Sequence, residues 1–250
     1  MPSPEVHSPD PLMREILAAI DFRIIGPRTS GAQWDTNKLE SPDAYKGFDM
    51  ANTQIWDPTT PIFYFPFLQT PRLSTIAIAY IINRLVKNMP AGEVYLNVGT
   101  WCGWSLFSGI LGNPEKKCIG VDNFSNNIPD KAKPIFFNRY SLLKNELSEF
   151  HEMDYLDYFK SLHADKKIGV YFYDGDHAYE HQYEGLRTAH PHLARGSYIL
   201  VDDTNGNGWP YNATLQFIKE NPEYSIVLDV STAENGHPTF WNGLVILKKN

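Results

Sequence analysis

The sequence predicts a doubly wound α/β fold: a mostly parallel seven-stranded sheet ending in an antiparallel C-terminal hairpin, preceded by a partly helical N-terminal extension. Three observations carry this. Seven short apolar runs are spread between residues 92 and 249, the first five alternate with helix-length segments, and the last two are joined without a convincing helix. Strand and helix in alternation imply parallel strands joined by crossovers and covered on both faces.

In chain order, residues 1–72 read as an extension or lid and residues 73–250 as the sheet domain. Ten of the 18 prolines but only three of the 17 glycines fall before residue 73, which marks the front segment as irregular. Its one helical pattern is Pro11 to Ile20, with Leu12, Ile16, Leu17 and Ile20 on one face and Pro11 in the first turn. Eight aromatics lie between Trp34 and Phe67, which suits either a substrate wall or a loop pinned by ring packing. Thr70 and Pro71 signal a helix start, and Leu73, Ile76, Ala77, Tyr80, Ile81 and Leu85 carry its period to Asn88. The strands are then expected at 92–99, 116–122, 149–154, 167–176, 196–203, 224–230 and 241–249. Helices are expected at Trp104–Leu111, Phe136–Leu147, Leu156–Leu162 and Tyr179–Ala194.

Composition narrows the function. Lys plus Arg is 22 against 29 for Asp plus Glu, a net charge of −7 with no basic run, which argues against nucleic acid and anionic membrane as partners. No apolar stretch approaches the roughly 20 residues of a spanning helix, and the first residues lack a signal peptide's apolar centre, so a soluble, cytoplasmic chain is expected. Two cysteines, Cys102 and Cys118, exclude a disulfide framework or four-thiolate zinc site.

Ligands of open parallel sheets sit at the carboxyl ends of the strands, and here those ends are polar. The first runs into Gly99, Thr100, Gly103 and Ser105, a tight turn opening a helix, although the full GxGxxG fingerprint is absent. The second ends in Asp122, 23 residues after Gly99, the spacing at which a carboxylate accepts both hydroxyls of a ribose. At the third, Asp154 meets an adenine edge or caps the next helix. The fourth and fifth end in Asp174, Asp176 and His177, and in Asp202 and Asp203. Carboxylates converging from adjacent strands repel, so the pattern calls for a cation; oxygen ligation without cysteine favours Mg²⁺, Ca²⁺ or Mn²⁺. Helix caps and solvated turns are the plainer alternative.

Taken together these ends resemble class I S-adenosylmethionine-dependent methyltransferases. More narrowly, YFYDGDHAYE with ILVDD resembles the DGDHxYE group, which includes metal-dependent O-methyltransferases acting on sugars of macrolides and aminocoumarins. The resemblance runs from about Thr70 to Lys249. It implies a Rossmann-like methyltransferase fold and S-adenosylmethionine as cofactor, with Asn97, Gly99, Thr100, Gly103 and Ser105 at its methionine end, Asp122 at the ribose and Asp154 at the adenine. It implies Mg²⁺ on Asp174, Asp202 and Asp203, with Asp174 also beside the cofactor. The acceptor would be the hydroxyl of a sugar or other vicinal diol. His177 stands three residues after Asp174, where related catechol-type enzymes place a lysine that helps deprotonate the substrate.

Asn97 departs from the resemblance, standing where Glu or Asp is usual. It motivates one alternative, a binding module of the same fold without turnover. His177 to His181 spells the HxxEH of one zinc hydrolase class, but His177 directly follows a strand end, where a helix has barely begun. His177 near its ordinary pKa of about 6.5 is expected to be neutral and to accept the acceptor's proton, or else to brace the turn. Asp176 is expected to brace the turn. The aromatic front segment could pack on its own body or on a neighbouring subunit of a homo-oligomer.

Overall fold

The structure is a computed structural model that describes residues 8–23, 49–125, 132–163, 166–205, 208–232 and 235–250. Trp34, Tyr45 and Phe48 of the expected aromatic wall lie outside these residues.

The chain opens on α1 (Pro11–Ala18), with Pro11 in the first turn and Asp10 as its cap, accepting from the Met13 amide. Asp10 also accepts from the Tyr198 hydroxyl at 3.0 Å and from Lys248 at 2.6 Å, which fastens α1 to the sheet. A small antiparallel pair follows, β1 (Ile20–Phe22) with β2 (Thr53–Ile55), then a 3-10 turn at Pro61–Phe63 and the short α2 (Phe65–Leu68). Helix α3 (Ile76–Asn88) begins six residues after the expected Thr70, with Thr75 as its cap. The cause is tertiary. The buried carboxylate of Asp49 accepts from the Ile76 amide and pairs with Arg72 at 2.6 Å, which keeps residues 70–74 out of the helix.

The main sheet comprises β3 (Val94–Val98), β4 (Lys117–Asp122), β5 (Glu149–Glu152), β6 (Ile168–Tyr173), β7 (Leu193–Asp202), β8 (Tyr224–Val230) and β9 (Leu244–Lys249). Their order is β5-β4-β3-β6-β7-β9-β8, with β9 antiparallel to both neighbours and the other pairs parallel. This is the expected seven-stranded, mostly parallel sheet with its C-terminal antiparallel hairpin. Strands β3 and β6 are buried throughout, because helices cover both faces. The helices are α4 (Trp104–Ile110), α5 (Ala132–Leu143), α6 (Tyr155–Ser161), α7 (Tyr179–Ala189) and α8 (Trp209–Glu220). The sequence reading missed α8. Pro210 sits in its first turn and Pro210, Ala213, Thr214 and Phe217 are its buried stripe, so a helical signal was present.

Two apolar clusters lie on the two faces of the sheet. One gathers around α3 and α4 with Tyr95 and Phe172, the other around Tyr171, Tyr173, Leu186 and Phe217. The strand order reverses between β3 and β6, which opens a crevice at their carboxyl ends. No helix among the described residues is long and apolar enough to cross a membrane.

Candidate functional site

A cavity of about 870 Å³ opens at that reversal point. Its walls come from the ends of β3, β4, β6 and β7, the start of α6, the segment before α3, and the link between β8 and β9.

After β3 the chain turns at Gly99 (φ 79°), where a side chain would put its Cβ 1.9 Å from the Asp174 carbonyl oxygen. Only glycine lets the turns after β3 and β6 lie against each other. Thr100, Trp101, Trp104 and Ser105 line the cavity with Gly99. Asn97 and Gly103, expected at the cofactor, are not among the lining residues. Asn97 stands one contact behind the wall, its Oδ1 accepting at 2.9 Å from the Oγ of Ser105, which does line the cavity. Gly103 (φ 98°) precedes α4 with its α-carbon against the Phe107 ring, where a Cβ would come within 2.2 Å. It closes the turn from behind.

At the end of β4, Asp122 Oδ2 accepts from the Trp101 amide at 2.7 Å and from Thr100 Oγ1 at 3.3 Å, while Oδ1 accepts from the Phe124 amide at 2.7 Å. The carboxylate is thus clamped by two turns. A carboxylate has about four lone-pair sites, so acceptor capacity toward the cavity remains. Asp154 caps α6 through the Leu156 amide at 2.9 Å, and it also lines the cavity with Phe124 and Met153.

The turns after β6 and β7 bring Asp174, His177 and Asp203 together. His177 Nδ1 lies 2.8 Å from Asp203 Oδ2, and its Nε2 lies 3.4 Å from Asp174 Oδ1 without making a hydrogen bond. Asp203 Oδ1 accepts from Asn242 at 2.7 Å. Asp176 accepts from the Ala178 amide, a turn brace as expected. Burial alone would lower the His177 pKa, but the two carboxylates outweigh it and push it up to about 11. The expected neutral proton acceptor is therefore a cation near neutrality. Burial, with the charges of Asp203 and Asp122, raises Asp174 against the pull of His177. Burial, Asp203 and Asp174 raise Asp202 well above the ordinary carboxylate range, and its Oδ1 has no hydrogen-bond partner.

The expected three-carboxylate metal site is not assembled. An imidazole stands between Asp174 and Asp203, and Asp203 spends its other oxygen on Asn242. Among the described residues no three His, Cys, Asp or Glu side chains are grouped so as to hold a metal ion. These residues do not fit the ion that the resemblance implied. The HxxEH reading fails as well, since His177 precedes α7 while Glu180 and His181 lie on it.

Sequence reasoning missed Arg72, Trp241 and Asn242 in the cavity wall. Arg72 is buried with its guanidinium carbon 4.2 Å from the Trp104 ring centroid, and Phe67 stacks on Trp104 at 4.0 Å. Asn242 and Gly243 carry an Asn-Gly turn signal, but nothing local says that the turn folds over Asp203.

Residues 96–204 match the profile of a family described as a methyltransferase domain. Among solved structures, the chain is similar to a protein from Corynebacterium glutamicum, at 14% identity and TM-score 0.52 over 68% of this chain and 79% of that one. It is similar to the O-methyltransferase TomG from Streptomyces achromogenes, involved in tomaymycin synthesis and solved with S-adenosylmethionine, at 14% identity and TM-score 0.50 over 69% and 78%. A Podospora anserina methyltransferase bound to S-adenosylhomocysteine gives 13% and 0.50 over 70% and 78%. At these identities the likeness concerns the fold. No curated protein matches the chain.

Proposed function

We propose that the chain is a class I, S-adenosylmethionine-dependent methyltransferase that methylates a hydroxyl of a small acceptor, a sugar or another vicinal diol; the methyltransferase-domain match over residues 96–204 and the strand order support this. The observation that carries this reading is one cavity with the clamped carboxylate of Asp122 on one wall and the Asp174–His177–Asp203 group on another.

The residues suit the cofactor. Asp122 would take the ribose hydroxyls, Gly99 and Thr100 would lie along the methionine part, and Phe124, Met153 and Asp154 would border the adenine. S-adenosylmethionine, when bound, supplies an electrophilic methyl that already carries its leaving group. What is left to the protein is alignment and charge. Asp122, Asp154, Asp174, Asp176 and Asp203 line the cavity and make it attractive to a sulfonium. His177, held through Nδ1 by Asp203, presents Nε2–H to the acceptor oxygen and stabilises negative charge as it develops there. The hydroxyl proton passes to Asp174, which burial makes more basic than an ordinary aspartate. No step runs through a metal ion, since the side chains as arranged do not suit one. The sugar preference and membership of the DGDHxYE group rest on the sequence resemblance.

The test is transfer of a labelled methyl from S-adenosylmethionine to a panel of monosaccharides and catechols. The expected outcome is labelled ether product with at least one vicinal diol, lost in Asp174→Asn. Cofactor binding with no transfer to any diol, amine or thiol would favour a binding module.

A further inference from the structure

We propose that Asn242, in the link between β8 and β9, is a positioning residue of the transfer site: it fixes the Asp203 carboxylate so that Asp203 in turn holds His177. The inference deepens the reading above, resting on His177 as the group beside the acceptor, and it draws on a part of the chain beyond the matched residues 96–204.

The hydrogen bonds dictate which way the Asn242 amide faces. The Gly236 amide can only donate, so the atom 2.7 Å from it is Oδ1. Nδ2 therefore faces Asp203 Oδ1, also at 2.7 Å. With that oxygen engaged, the other, Oδ2, is the one that meets His177 Nδ1 at 2.8 Å. Asn242 in turn is held from below. Its carbonyl accepts from the Asn205 amide at 2.8 Å, and the Asn205 side chain grips the link by accepting from the Thr232 amide at 2.8 Å and donating to Thr232 Oγ1 at 2.7 Å. Gly243 (φ 89°) lets the two segments close, since a Cβ there would stand 2.6 Å from Asn205 Oδ1.

The backbone is strained on both sides of this contact. Asp203 (φ 56°) and Trp241 (φ 55°) are two of four non-glycine residues with positive φ among the described residues, and each flanks the Asn242–Asp203 bond. Left-handed conformations are costly for non-glycine residues and persist where surrounding structure over-determines them, most often at functional sites. A staple meant only to close a loop would not need strain beside the cavity. Trp241 and Asn242 both line that cavity, so the link that orients Asp203 also walls the space beside it.

Asn242→Asp separates a positioning role from a structural one. It keeps an oxygen for the Gly236 amide but replaces the donor facing Asp203 with a repelling carboxylate. The readout is the pair of ring-nitrogen signals of His177 in histidine-labelled full-length protein near neutrality, with and without S-adenosylhomocysteine. The expected result is a displaced His177 signal in Asn242→Asp and in Asp203→Asn. The double variant should move it no further than Asp203→Asn alone, since residues in one chain of contacts do not act additively. An unmoved His177 signal, or a double-variant effect equal to the sum of the two singles, overturns the proposal. If Asn242→Asp does not fold, Asn242→Ala is read the same way. Wild type that fails to bind S-adenosylhomocysteine counts against the proposed function instead, because the His177 readout stands without it.

Discussion

Asp122 and His177 are the two residues whose environments decide most. Asp122 meets two backbone amides and a hydroxyl, so its charge is held in place before any ligand arrives. Asp122→Asn keeps the shape and removes the charge; charge-assisted hydrogen bonds contribute about 1.5–3 kcal/mol, so affinity for S-adenosylhomocysteine should fall roughly tenfold or more by calorimetry. Unchanged affinity would remove the ribose role. The His177 pKa lies near 6.5 in the unfolded chain and is raised to about 11 on folding, so the protonated form is the one the fold favours. Its contribution to stability is fully present below 6.5 and is lost as pH climbs through about 11. The stability difference between wild type and His177→Gln, from denaturant melts, should therefore narrow steadily over that window. The place of Asp122 in the cavity wall was legible because it ends the strand after the glycine turn. Asn97 does not itself line the cavity but holds Ser105, which does, a contact that the sequence pattern does not reveal. The charge on His177 depends on Asp203, 26 positions away, which no local window contains.

At the scale of elements, periodicity revealed most strands to within a few residues, because buried parallel strands are short apolar runs bounded by polar ends. The start of α3 was displaced by a contact from another part of the chain. Asp49 and Arg72 are 0% and 2% exposed, and Asp49 also holds the first amide of α3. Removing one partner of such a pair strands the other as a buried charge, at a cost of about 3–5 kcal/mol. Asp49→Ala should lower unfolding stability by about that amount in chemical denaturation. A loss under about 1 kcal/mol would mean that Arg72 finds another partner or reaches water. Arg72 also lies over Trp104, so the same variant should loosen the cavity wall formed by α4.

For the whole molecule, the order of strands places the cavity at the reversal between β3 and β6; alternation foretold a doubly wound parallel sheet, but not that order. What alternation could not foretell is that the link before β9 returns to the same end of the sheet and completes the wall. Because Asp174, His177 and Asp203 already neutralise one another in part, EDTA should leave methyl transfer by the purified protein within about twofold of its untreated rate. A loss restored by Mg²⁺ would show that the carboxylates rearrange around an ion. Bare backbone at Gly99 rests against the carbonyl of Asp174, and the Asp174 amide donates to the Val98 carbonyl, so the turns after β3 and β6 form one seam. Neither turn can shift without its neighbour. A cofactor and an acceptor that meet at this seam would be linked, and a closed thermodynamic cycle would return an identical coupling factor from either direction.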